Sequence, residues 1–335
     1  MAGTLLLTGA NSTLALPAIS HILTTYPTTT LLLAVRNPSP TADANTAKLH
    51  ALLALFPTAP VSVRALDLAS LASVHTFAAA VHADIAGGTL PRLVAIVCNA
   101  MTWSLQSGLQ RSADGLERTF QVNHLAHWVL VMRLLGDVDR ERGRVVWLGS
   151  NSHWKGKAGF EVFAPGLPEE LEELVRPGED REGEEVGRGF QRYGRSKLAN
   201  VMGMWELGRR LKTNKDLAHI RTLALDPGGL MDSRAFSGAN VPALWRGIIS
   251  VLGVLQPLIS RAKPEIRTGK IAGRDLADLA LGERFAGEDG YYVNGVADGK
   301  GECSPESRDE EVGRRLWEKC AEWGGVGRED TVLEI

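Results

Sequence analysis

The sequence predicts an α/β fold, a doubly wound parallel sheet with helices on both faces, and three observations predict it. Short apolar runs alternate with longer amphipathic segments along most of the chain. The runs are apolar throughout, as expected of strands buried on both faces. A glycine follows the first run directly and leads into a helical pattern, as a chain does when it turns back over a sheet.

The apolar runs are Thr4–Thr8, Thr30–Val35, Val61–Ala65, Leu93–Cys98, Arg144–Leu148 and residues 220–224. Helices are expected over residues 14–25, 41–55, 71–86 and 112–135, followed by one over 190–211. No internal repeat or low-complexity segment interrupts the series, so residues 1–335 read as one domain. Residues 177–188 (PGEDREGEEVGR) read as an exposed loop whose charges form a solvated surface.

The chain has 335 residues, 44% hydrophobic and 23% charged, ordinary values for a globular protein with a sizeable core. A net charge of −2 gives no reason to expect nucleic acid or an anionic membrane as partner. Cys98, Cys303 and Cys320 are scattered without metal spacing, which points to a reducing, cytoplasmic setting. No basic leader precedes the first strand, and no apolar run reaches the roughly 18 residues of a membrane span. No metal is expected.

Chemistry-bearing residues gather at the carboxyl ends of the expected strands, where parallel sheets bind ligands. The first strand turns through TGANSTLA (Thr8 to Ala15), and the helix that follows offers N–H groups to a pyrophosphate. Gly9, Asn11, Ser12, Thr13 and Leu14 are the candidates there; Ser12 and Thr13 could equally cap the helix. Arg36, in LLLAVRNP, stands about twenty residues beyond the turn, where an acidic residue would hold the ribose of NAD. A guanidinium suits a 2′-phosphate instead, so NADP(H) is the expected cofactor. Asp67 and Leu68 end the third strand in RALDLAS; Asp67 could accept from an adenine amine or simply precede a helix. The fourth strand delivers Asn99 and Ala100, and the fifth delivers Ser150. Asn123, in FQVNHLAHW, is a polar residue in an apolar helical context and needs a partner when buried. Tyr193 and Lys197, four apart on one helix face, form a possible acid–base pair in which the ammonium lowers the phenol's pKa.

The ordered series TGANSTLA, VRNP, LDLAS, CNA, FQVNHLAH, RVVWLGSNSH, YGRSK and DPGG resembles the short-chain dehydrogenase/reductase superfamily. The likeness is greatest to its retinol dehydrogenase and WW-domain oxidoreductase branch and to fungal reductases of specialised metabolism. It extends to GYYVNG and SPESRDEEVGRRLWEKC near the C-terminus. The resemblance implies a Rossmann-type sheet, with residues 1–150 mainly the cofactor half and 151–335 carrying the catalytic helix and substrate cover. It implies Tyr193 as general acid/base and Lys197 as ligand of the nicotinamide ribose that depresses the phenol. It implies Ser150 as donor to the substrate oxygen and Asn123 as anchor of a water linking Lys197 to solvent. Pro227, Gly228, Gly229 and Ser233 would close over the nicotinamide and pyrophosphate.

The chain also departs from the family pattern. Thr13 and Ala15 occupy the second and third glycine positions of TGxxxGxG, Cys98 and Met101 alter NNAG, and Gly149 replaces a common Ser. The apolar segment 241–259 would cover a hydrophobic small-molecule substrate, or simply bury a helix face. The expected activity is therefore an NADPH-dependent carbonyl reductase or alcohol dehydrogenase. The alternative is a non-redox isomerase or cyclase, or a cofactor-sensing binding protein, on the same fold.

Overall fold

The computed structural model describes residues 3–230, 233, 235, 241–242, 247, 266–293 and 300–335. Apart from Val241, Pro242 and Gly247, the expected cover at 241–259 lies outside the described residues.

The sheet contains β1 (Thr4–Thr8), β2 (Thr30–Val35), β3 (Val61–Ala65), β4 (Leu93–Cys98), β5 (Arg144–Leu148), β6 (Arg221–Asp226) and β9 (Gly290–Val293). It is parallel throughout, in the order β3-β2-β1-β4-β5-β6-β9. The sixth run shifts from 220–224 to Arg221–Asp226, so Asp226 becomes its last residue. β9 was not among the expected strands. Only four residues long, it is defined by its pairing with β6, Leu223 opposite Gly290. β7 (Gly229–Leu230) and β8 (Ile266–Arg267) form a small separate pair.

Strand periodicity sends Leu5 and Leu7 to one face and Leu6 to the other. The first face packs against α1 (Ala15–Thr25), α2 (Ala44–Leu53) and α6 (Gly269–Leu281). The second packs against α3 (Leu71–Ala86), α4 (Ala126–Leu134), α5 (Glu185–Thr213) and α7 (Glu310–Gly324). Both faces are thus dry, which is why the strands read as continuous apolar runs. The order reverses between β1 and β4, opening a crevice at their carboxyl ends.

Two elements differ from expectation for local chemical reasons. The helix expected over 112–135 begins only at Arg118 and passes through a π turn, Gln121–Leu125, before α4. Ser112 and Asp114 instead hydrogen-bond the Gln121 side chain, at 2.5 and 2.6 Å, holding the segment before Arg118 as a loop. Glu117 then caps the new start by accepting from the amides of Thr119 and Phe120.

The charged loop 177–188 is also not wholly a solvated surface. Its last residues belong to α5, and Asp180 receives both terminal nitrogens of Arg192 at 2.5 and 2.9 Å. Both side chains are buried, with Glu117 3.7 Å from the same guanidinium. This buried cluster ties the inserted loop to the helix that carries Tyr193.

Candidate active site

The cofactor end of the crevice is built around Gly9. Its φ of +62° suits glycine, and a Cβ there would lie 2.8 Å from the Ala100 Cα. The turn is bound to β4 from both sides. Thr8 Oγ1 accepts from the amides of Asn99 and Ala100 at 2.9 and 3.0 Å. Asn99 Nδ2 donates to the carbonyls of Thr8 and Gly9 and to Ser12 Oγ. Ser12 Oγ also accepts from the Ala15 amide, and Asn11 donates to Thr46 Oγ1 at 2.8 Å. Thr13 is half-buried and Leu14 buried. Ala15, at the third glycine position, is fully buried in the layer between α1 and the sheet.

Arg36, Asp67 and Ser233 stand outside this network among the described residues. Arg36 is exposed one residue beyond β2. Asp67 is partly buried and accepts from the Ala69 amide, while the neighbouring Leu68 carbonyl accepts from Gln121. Pro227 follows Asp226, whose carboxylate accepts from the Gly228 amide at 2.9 Å; Gly229 opens β7. Ser233 Oγ accepts from the amide of Ala235.

At the catalytic end the structure brings three of the four expected groups to the end of β5. Ser150 lies two residues past the strand, with its hydroxyl near enough to the Tyr193 phenol to act on its pKa. Lys197 Nζ is buried and donates to the Leu148 carbonyl at 2.9 Å, lying 5.5 Å from the Tyr193 ring centroid. Asn123, within the π turn, clamps the adjoining loop to α5. Its Oδ1 accepts from the Thr102 amide, and its Nδ2 donates to the Thr102 carbonyl and to Ser196 Oγ.

The charges around Tyr193 correct one expectation. Burial raises the phenol's pKa, the nearby Ser150 hydroxyl lowers it, and the Asp226 carboxylate raises it further. Lys197 does not bring the phenol below its ordinary value here. Burial instead pushes the Lys197 ammonium down to about 8, opposed by Asp226. Of the two groups, the ammonium is the one brought toward neutral pH.

Several site residues escaped the sequence reading. Asp226 is buried at the end of β6 and receives hydrogen bonds from the Gly228 amide and, at 3.5 Å, the Tyr291 hydroxyl. His127 Nδ1 lies 3.1 Å from the Asn123 carbonyl and its Nε2 2.9 Å from Thr8 Oγ1. A carbonyl only accepts, so Nδ1 carries the hydrogen and the Thr8 hydroxyl donates to Nε2. His124 Nδ1 likewise donates to Asn200 Oδ1 at 2.9 Å, while Asn200 Nδ2 donates to the Leu148 carbonyl at 3.0 Å. Burial lowers the pKa values of His124 and His127 to about 4 and about 3, keeping both rings neutral. The available signal was two histidines in the same apolar helical context as Asn123.

Gly149 explains one departure from the family pattern. A Cβ there would lie 2.7 Å from Cε2 of Tyr291, whose ring covers the turn. Gly149→Ser should therefore destabilise the protein by about 1–3 kcal/mol, and Tyr291→Ala in the same chain should reduce that penalty. Chemical denaturation of the single and double variants measures both effects; a serine variant as stable as wild type would contradict the contact.

A family model described as the AcuH dehydrogenase domain matches residues 235–333. The chain is 29% identical to the short-chain dehydrogenase iccH of Talaromyces variabilis, over 99% of this chain and 98% of that protein. It is 31% identical to the WW domain-containing oxidoreductase of Pongo abelii over 86% of this chain, and spans 60% of that longer protein. Among solved structures, YwfH, an NADPH-dependent reductase involved in bacilysin biosynthesis, superposes with a TM-score of 0.57 at 15% identity, over 88% of this chain and 96% of that one. With its relatives, its parallel sheet and its crevice taken together, the chain belongs to the short-chain dehydrogenase/reductase superfamily.

Proposed function

We propose that the chain is an NADPH-dependent oxidoreductase that reduces a carbonyl on a hydrophobic small molecule, or oxidises the matching alcohol, in fungal specialised metabolism. The observation that carries this reading is the gathering of the Tyr193 phenol, the Ser150 hydroxyl and the buried Lys197 ammonium at the end of β5. Two O–H donors at one point suit a carbonyl oxygen that gains negative charge as it is reduced. The donor set suits a dinucleotide: a glycine turn pinned by Asn99, a helix N-terminus after Ser12, and an exposed guanidinium at Arg36. NADPH, when bound, supplies the hydride.

In this reading Tyr193 gives its proton to the substrate oxygen and Ser150 holds that oxygen in place. The raised phenol pKa keeps the acid protonated at neutral pH, which favours reduction. Asp67 and Leu68 would flank the adenine, Asn99 and Ala100 the nicotinamide side, and Pro227 to Gly229 with Ser233 would close over the pyrophosphate. The apolar side of Tyr193 supports a hydrophobic substrate. Trp103, Leu105, Phe190 and Val241 form a buried cluster there, with the Trp103 ring edge-on to Tyr193 at 5.1 Å.

Tyr193→Phe keeps the ring's packing and removes the proton. NADPH binding should survive while kcat for ketone reduction falls about a hundred- to ten-thousandfold. Following NADPH absorbance with a panel of ketones tests this; near-normal turnover by the Phe variant would remove Tyr193 from the mechanism. A wild-type protein that binds NADPH without consuming it would belong with the non-redox members of the fold.

Arg36→Ala should weaken NADPH about ten- to a hundredfold and leave NADH nearly unchanged, because only the former carries the 2′-phosphate. Titration with the two cofactors reads the difference. Equal losses for both would mean that Arg36 does not meet the phosphate.

The pH dependence should report Lys197. Its ammonium loses its proton near pH 8, so the reductive kcat should decline as pH rises through about 8. Lys197→Met should be slower and lack that step, measured at saturating NADPH across pH 6–10. A variant with the same midpoint as wild type would assign the step to another group.

A further inference from the structure

A third buried histidine, His153, lies on the short 3₁₀ turn Asn151–His153 that follows Ser150. Its Nδ1 is 2.6 Å from the Ser150 carbonyl, and the backbone amide of Ser304 donates to its Nε2 at 3.0 Å. The ring is therefore neutral with its hydrogen on Nδ1, since a carbonyl can only accept and an amide can only donate. The other tautomer would break both contacts, and the imidazolium would break the one to Ser304. The ring also packs edge-on against Tyr291 at 5.2 Å, so its orientation is set by packing as well.

Within the same turn the His153 amide also donates to the Ser150 carbonyl at 3.1 Å, so backbone and ring of His153 grip one oxygen, and the Ser152 amide donates to Ser150 Oγ at 3.2 Å. The carbonyl and the hydroxyl of Ser150 are thus each held, the first by His153 and the second by the turn. Ser304 is itself fixed: its hydroxyl accepts from the Ser307 amide and its carbonyl from the Ser307 hydroxyl. A rigid segment of the C-terminal region therefore reaches, through one imidazole, the residue beside the reacting oxygen.

We propose that His153 is a positioning residue for Ser150, holding its main-chain carbonyl and coupling the catalytic loop to the C-terminal segment through the Ser304 amide. Its effect on turnover rests on the reductase reading above; the coupling itself is structural and can be read without turnover.

Four variants test it. Ser304→Pro deletes the amide hydrogen at a φ of −58°, which proline adopts without strain. Ser304→Ala keeps the amide and removes only the hydroxyl cap, so it serves as the control. His153→Phe keeps the ring's packing and loses both ring hydrogen bonds while its backbone amide still reaches the Ser150 carbonyl, and His153→Asn can retain the side-chain donor to Ser150. Hydrogen exchange across residues 149–157 should speed up in Ser304→Pro and His153→Phe and stay near wild type in Ser304→Ala.

With ketone and saturating NADPH, the same two variants should lose about ten- to a hundredfold in kcat, with the NADPH dissociation constant within about threefold of wild type. His153→Asn should recover part of that loss, which a purely space-filling role would not produce. Wild-type exchange rates in Ser304→Pro and His153→Phe would overturn the coupling, and unchanged kcat in both would overturn the positioning role. If Ser304→Pro fails to fold, His153→Phe against His153→Asn decides alone. If wild type reduces no carbonyl, the reductase reading fails, and the exchange measurement still decides the coupling.

Discussion

One backbone carbonyl organises the catalytic end of this protein. Leu148 O, at the end of β5, accepts both Lys197 Nζ and Asn200 Nδ2, two groups one turn apart on α5. That shared acceptor fixes the register of a 29-residue helix against the sheet, and with it the place of Tyr193 one turn before Lys197. Leaving an ammonium buried and unpaired would cost several kcal/mol. Here the Leu148 carbonyl and the nearby Asp226 carboxylate offset part of that penalty, and the remainder appears as the lowered Lys197 pKa.

Around this point the protein uses neutral histidines as two-ended connectors. His124 holds Asn200 and faces the Cys320 thiol at 3.5 Å, linking α7 to the same carbonyl. His127 joins the Asn123 carbonyl to Thr8, which in turn holds the amides of Asn99 and Ala100. His153 joins Ser150 to Ser304. Each ring donates through Nδ1 and presents Nε2 to another element. In a low-dielectric interior such satisfied bonds are strong and directional, and burial keeps the rings neutral as the bonds require.

The glycine turn shows how the fold absorbs departures from a family pattern. Gly9 is required by its backbone angle and by Ala100, whereas Ala15 sits within the apolar layer under α1. Gly149 answers to Tyr291 on a strand far away in sequence, so its identity follows from a packing contact across the sheet.

Much of the fold was legible in the sequence because strands buried on both faces must be apolar along their length. Five of the expected strands, Thr4–Thr8 through Arg144–Leu148, and the helix Leu71–Ala86 have the boundaries that their patterns imply. The candidate tetrad was legible because Tyr193 and Lys197 are local helix neighbours and because Ser150 and Asn123 stand in recognisable segments. What depended on contacts between distant segments was not. β9 exists through its partner β6, Asp180 is buried because Arg192 reaches it, and Tyr193 has a raised pKa because burial and Asp226 outweigh the Ser150 hydroxyl. Hydrophobic periodicity is written residue by residue along the chain. Desolvation and hydrogen-bond partnership depend on which distant segments meet, and only the tertiary structure decides that.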